Sequence, residues 1–283
     1  MFTTLITPAE LAARLSDPAY VVVDVRHDLA RAEHWGEDQY AAGHLPGARF
    51  AHIDRDLSAQ KTGRNGRHPL PEREALAARL RAWGIDDDTQ IVAYDASGGS
   101  FASRLWWLAR WLGHRRVALL DGGWQAWLAG TQQSSTAPAE RKPGRFEIRP
   151  SLVAAVDAPQ VLAMLGRTDR LIVDARAAER YEGRVEPLDP VAGHIPGTIN
   201  RPWQQNLAQG AFKPREVLRR EFDALLAGHS PADLTVLCGS GVTACHHLLA
   251  LEHAGLTGAA LYPGSWSEWV ADPARPVATG AAP

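Results

Sequence analysis

Residues 234–255 read LTVLCGSGVTACHHLLALEHAG. A short apolar run, Leu234–Leu237, meets Cys238, and a loop with two glycines and two hydroxyl residues follows. The next stretch, VTACHHLLALEHAG, has a helical pattern and closes on Gly255. A strand therefore runs into a helix with the cysteine at its carboxyl end. Similar β-branched runs occur at Tyr20–Val23, Gln90–Ala93 and Leu171–Val173. Further helical patterns are PEREALAARLRAWG and FASRLWWLARWLG, each closed by a glycine. Continuous apolar strands separated by helices predict an α/β fold with a parallel sheet covered on both faces. Such sheets bind ligands beyond the carboxyl ends of their strands.

The chain repeats itself. VVVDVR is answered by LIVDAR, with Asp24 and Asp174 150 residues apart. AAGHLPGARF at 41–50 is answered by VAGHIPGTIN at 191–200, and His44 and His194 have the same separation. Asp95 matches Cys238 at a separation of 143, and the pair Trp124/Trp127 matches Trp266/Trp269 at 142. Four blocks in one order predict two copies of one domain, since the period is far too long for a solenoid. The expected boundaries are 1–132 for the first copy, 133–150 for a proline-containing linker and 151–283 for the second copy.

Composition narrows the function. The chain has 283 residues, 45% apolar and 22% charged, with a formal net charge of −2. Without a basic run, neither nucleic acid nor an anionic membrane is expected as a partner. No apolar stretch has the ~18 residues of a transmembrane helix, and no secretory leader is visible. Two cysteines make no disulfide framework, so a cytoplasmic, reducing location is expected. The sequence shows no metal site or nucleotide fingerprint, and no cofactor is expected. His246 and His247, adjacent on a helix, are expected to face different directions and to form no metal pair.

A cysteine most often serves as a small buried hydrophobe. Its place at a strand end, before a glycine loop and a helix, favours chemistry instead. The loop Gly239, Ser240, Gly241, Val242, Thr243 can curl so that its N–H groups surround an anionic sulfur, aided by the helix N-terminus. Asp95 stands at the matching place in the first copy, so that copy has the scaffold without a sulfur nucleophile. Cys245, farther into the helix, reads as core. His44, His194, Asp24 and Asp174 recur in both copies, which argues for structural roles.

The blocks GHIPG, CGSGVT and YPGSWSEW, with a degenerate first copy carrying GHLPG and DGGWQAW, closely resemble the tandem-rhodanese sulfurtransferases. The resemblance covers nearly the whole chain. It implies two domains, each a parallel five-stranded sheet flanked by helices, with the cysteine in the second and the site at their interface. The loop resembles that of the 3-mercaptopyruvate sulfurtransferases; thiosulfate-preferring members usually carry basic residues directly after the cysteine. The implied reaction passes through a Cys238 persulfide, releases pyruvate and delivers sulfur to a thiol, thioredoxin or cyanide. The implied proton relay uses Ser240, His68 and Asp54. On their own residues, His68 and Asp54 read rather as a turn histidine and an exposed loop acid. The resemblance also implies two arginines for the donor carboxylate. Arg180, in AERYEG, matches the first; the second falls on Leu188, and Arg184, four residues after Arg180, is either its substitute or a surface charge.

Rival functions remain. A phosphatase of related fold needs an arginine six residues after its cysteine, where Ala244 stands here. A non-catalytic sulfur carrier or docking module would keep the cysteine without turnover. Thiosulfate is the alternative donor.

Overall fold

The computed structural model describes residues 1–131 and 133–281. They fall into two compact units. The first comprises Met1–Ser58, Pro71–Leu152 and Gln209–Phe212; the second comprises Ala59–Leu70, Val153–Ala208 and the chain from Lys213 onward. Residues 133–152, without helix or strand, thus cluster with the first unit, where Ser135 bridges His44 and Phe146 is buried. Residues 59–70 cluster with the second unit.

Each unit is built on a five-stranded sheet in which every neighbouring pair is parallel. In the first unit the order is Leu5–Ile6, Val117–Leu120, Gln90–Tyr94, Tyr20–Asp24, Arg49–Phe50. In the second it is Ala154–Ala155, Ala260–Leu261, Leu234–Leu237, Leu171–Asp174, Ile199–Asn200. The central strands Gln90–Tyr94 and Leu234–Leu237 are buried at every residue, because helices cover both faces. The helices Arg73–Ala82, Ala102–Trp111 and Ala244–His253 form where the apolar spacing places them. Gly255, at φ 79°, ends the last of these in the left-handed conformation that a side chain resists.

The cores explain the tryptophan pairs. Trp127 packs with Ile6, Val22, Tyr94 and Leu120; Trp266 and Trp269 pack with Val161, Ile172, Leu237 and Tyr262. An aromatic ring buried this fully contributes roughly 4–6 kcal/mol of transfer free energy. The recurring polar residues are equally structural. Asp24 holds Arg26 at 2.6 Å and Asp174 holds Arg176 at 2.7 Å. Each guanidinium lies 4.6 Å over a tryptophan ring, Trp124 or Trp266. His44 stacks on Tyr40 and His194 on Tyr181, both at 3.8 Å, and each Nδ1 meets the carbonyl of the tyrosine it stacks on.

Candidate active site

Strand Leu234–Leu237 delivers Cys238 to the carboxyl edge of its sheet, and helix Ala244–His253 begins six residues later. The loop between is pinned through its backbone. The Cys238 amide donates to Ser265 Oγ at 3.1 Å, and its carbonyl accepts from the Trp266 amide at 3.0 Å. The Gly239 carbonyl accepts from the Ser267 amide at 2.9 Å. Cys238 Sγ accepts from the Gly241 amide at 3.2 Å. Gly241 has φ 76°, and a methyl group there would sit 2.1 Å from the Pro263 carbonyl oxygen. Val242 is buried, and half-buried Thr243 begins the helix without capping it through its side chain. Cys238 is 1% exposed. Burial disfavours the charge on Arg176, but Asp174, Glu186 and Cys238 together outweigh it and hold that guanidinium above its ordinary range.

The first unit shows what this loop does with a negative group. Asp95 Oδ1 accepts from the amides of Ser97 and Gly99, both at 2.8 Å. Oδ2 accepts from Phe101 at 2.8 Å and Ala102 at 2.9 Å. The Asp95 carbonyl accepts from the Trp124 amide, as that of Cys238 does from Trp266. Four amides converging on one buried carboxylate make an anion nest. The corresponding turn in the second unit, one residue shorter, presents a sulfur to which the Gly241 amide donates.

Beside the sulfur loop, His68 Nδ1 meets Ser240 Oγ at 2.7 Å, with both residues buried. His68 reaches this position because residues 59–70 pack within the second unit. Asp54 belongs to the first unit, half-buried, its amide donating to His52 Nδ1 at 3.1 Å.

The structure separates the two readings of Arg184. Arg180 forks onto Glu186, with Nη2 at 2.7 and 2.9 Å from its two oxygens, and lies 3.4 Å from Asp189. Arg184 faces outward, 63% exposed and bonded to Glu182. Helical spacing does not carry it alongside Arg180, because helix Ala178–Tyr181 is only four residues long and Gly183 turns at φ 79°. The guanidinium that does join Arg180 is that of Arg67, bonded through Nη1 to Asp189. A methyl group on Gly239 would come within 2.8 Å of Arg67 Nη2 and 3.4 Å of Arg180 Nη1. Burial raises the Glu186 carboxyl, but hydrogen bonds from Arg180 and the amides of Leu188 and Asp189 reverse that and hold it below its usual range. Burial lifts Asp189 above its usual range, which Arg67 only partly offsets.

The rhodanese-like domain family matches residues 7–130 and again 157–272. The chain belongs to the rhodanese-like sulfurtransferases. It is 48% identical over 279 residues, 98% of each chain, to the probable 3-mercaptopyruvate sulfurtransferase of Pseudomonas aeruginosa. It is 39% identical over 285 residues, again 98% of each, to a Mycobacterium tuberculosis protein named, as a provisional assignment, thiosulfate sulfurtransferase SseB. Among solved structures, SseA of Escherichia coli, described as a 3-mercaptopyruvate sulfotransferase with the rhodanese fold, superposes with a TM-score of 0.81. It is 31% identical, and the match covers 94% of this chain and 99% of that one.

As a rhodanese-like sulfurtransferase, the protein moves sulfur between a small-molecule donor and an acceptor. Among the described residues, no helix is long and apolar enough to cross a membrane. Cys245 is core, its Sγ 3.3 Å from the Gly241 carbonyl oxygen. The expectation that His246 and His247 face different directions needs correction. Their Nδ1 atoms both bond Asn206 Nδ2, at 3.0 and 2.8 Å, because one side-chain amide has two N–H groups to offer. Sequence reasoning did not single out Arg67, which the fold places beside Arg180 and Gly239.

Proposed function

We propose that the chain is a 3-mercaptopyruvate sulfurtransferase working through a persulfide on Cys238. The thiolate of Cys238 attacks the donor sulfur. The carbon–sulfur bond breaks, its electron pair passes to carbon as the pyruvate enolate, and a proton from the donor thiol reaches that carbon through Ser240 and His68. Pyruvate leaves, and the outer sulfur remains on Cys238. An acceptor thiolate then attacks that sulfur, and the sulfur–sulfur bond breaks to return the Cys238 thiolate. The amides of Gly239, Gly241, Val242 and Thr243 surround the sulfur anion in this reading, as four amides surround Asp95. Asp54 takes the third place in the relay on the match of its position, and Arg180 holds the donor carboxylate. The acceptor is a small thiol, a thioredoxin or cyanide, and the cytoplasm suits two free cysteines. With the boundaries 1–132, 133–150 and 151–283, the first copy has Asp95 in place of a sulfur nucleophile and contributes Asp54 and His68 to the relay.

The observation that carries the donor assignment is the Ser240–His68 contact at 2.7 Å beside a loop with no cation of its own. A thiol donor needs a path for one proton, and that contact supplies one. Thiosulfate is favoured instead by Leu188 in place of an arginine and by the name of the Mycobacterium tuberculosis relative. The test compares kcat/KM for the two donors. Mercaptopyruvate is expected to win by about tenfold or more, the effect of ~1.4 kcal/mol in the transition state. A preference for thiosulfate overturns the assignment. Release of one equivalent of pyruvate without turnover indicates a carrier.

A further inference from the structure

Two guanidinium NH2 groups converge on the glycine after the candidate nucleophile. Among the described residues, neither Arg67 Nη2 nor Arg180 Nη1 is bonded to an acceptor, although Arg67 Nη1 and Arg180 Nε and Nη2 are engaged. Both lie within 3.4 Å of the point a Gly239 methyl would occupy. Gly239 does not take the left-handed conformation, so glycine there serves space rather than backbone freedom.

We propose that Arg67 is the second cation of the donor-carboxylate pocket, paired with Arg180 and replacing the arginine that Leu188 displaces. The inference rests on the mercaptopyruvate reading for the identity of the donor. Arg67 is built into position. Its amide donates to Ser267 Oγ at 3.0 Å, and the Ser267 amide in turn holds the Gly239 carbonyl at 2.9 Å. Gly66, at φ 80°, lies so close to the Gly264 carbonyl that a methyl group would approach it to 2.8 Å. Asp189, 3% exposed, fixes Nη1 and turns Nη2 toward the loop. The Arg67 side chain keeps 24% of its surface open, as a binding group must, and Arg180 keeps 19%. Two planar forks on one carboxylate give orientation as well as charge, which directs the donor sulfur toward Cys238. Leu188 itself is exposed.

Steady-state kinetics of Arg67→Met and Arg67→Lys test the assignment. Arg67→Met should raise KM for 3-mercaptopyruvate about tenfold, the loss of one charge-assisted hydrogen bond, with kcat within about twofold of the parent. Arg67→Lys, which keeps charge without the fork, should raise KM about threefold and carries the test alone should the methionine variant fail to fold. Pyruvate shares the carboxylate and has no sulfur, so its Kd by NMR titration should rise in parallel. If the enzyme prefers thiosulfate while pyruvate binding follows Arg67, the donor assignment fails and the Arg67 inference stands. Unchanged KM and pyruvate Kd, with only kcat or melting temperature lowered, would reduce Arg67–Asp189 to a structural ion pair and overturn the inference.

Discussion

The amide of Cys238 donates to Ser265 Oγ at 3.1 Å, and Ser265 holds a left-handed backbone with φ 54° to receive it. The same hydroxyl donates to the Tyr262 carbonyl at 2.9 Å, which turns its lone pairs toward the cysteine. Gly123 stands at the matching place in the first unit, with φ 57°. A side chain in this conformation costs about 1–2 kcal/mol that glycine avoids. The strained serine occurs in the copy that carries the sulfur.

Ser265→Gly should therefore leave unfolding free energy within about 1 kcal/mol of the parent, since relief of strain offsets the lost hydrogen bonds. It should nonetheless lower kcat/KM by about tenfold or more, because the Cys238 amide loses its partner and the sulfur loses its aim. Ser265→Ala keeps the strain and loses the hydroxyl, so it should be the less stable of the two. Chemical denaturation and donor kinetics on both variants check this ordering; full activity in Ser265→Gly would show that the hydroxyl does not position the cysteine.

Much of this architecture was legible because the responsible signals are local or repeated. Val21, Val22 and Val23 are consecutive and apolar, and they form a strand buried on both faces. Cys238 was legible from its place between a strand and a glycine loop, and His68 only through the family resemblance. Arg67 was not legible. In GRNGRH it reads as a solvated loop charge, and its meaning depends on residues 59–70 folding against partners such as Asp189, 122 residues away. Arg184 was ambiguous for the opposite reason. Its spacing from Arg180 implies a shared helix face, but the helix ends at Tyr181, before that spacing can act.

Asp95 tests whether the loop requires an anion. Asp95→Ala leaves four amides, three of them buried, without their acceptor, and even with water entering this should cost about 3–5 kcal/mol. Asp95→Asn should be nearly as damaging despite its shape. Its amide nitrogen would face two of the four donors, since one terminus of the side chain can no longer accept. Urea unfolding followed through the tryptophans measures both. An asparagine variant within about 1 kcal/mol of the parent would show that the nest tolerates a neutral group, and the electrostatic reading of the sulfur loop would lose its internal control.

His247 makes stability depend on pH. Its Nε2–H donates to the Arg201 carbonyl at 2.6 Å, while Nδ1 accepts from Asn206 at 2.8 Å and from Arg201 Nη1 at 3.3 Å. These partners select one neutral tautomer and leave no acceptor for a second ring proton. Burial above all, then the Arg201 charge and neighbouring His246, push its pKa well below 6.5. Glu221 engages the far side of Arg201, and the Phe222 ring lies 6.0 Å from the imidazole. The folded value is depressed, so the unfolded chain binds the extra proton first. Stability is whole above about pH 6.5 and falls as pH drops below it, by up to ~1.4 kcal/mol per pH unit for this group. His114, lowered by its own burial, acts with the same sign. Denaturation at about pH 7.5 and about pH 5.5 should show His247→Gln losing less stability over that interval than the parent, by about 1 kcal/mol. Equal losses in both proteins would mean that this histidine is protonated in the fold, and its hydrogen-bond network would have to be reassigned.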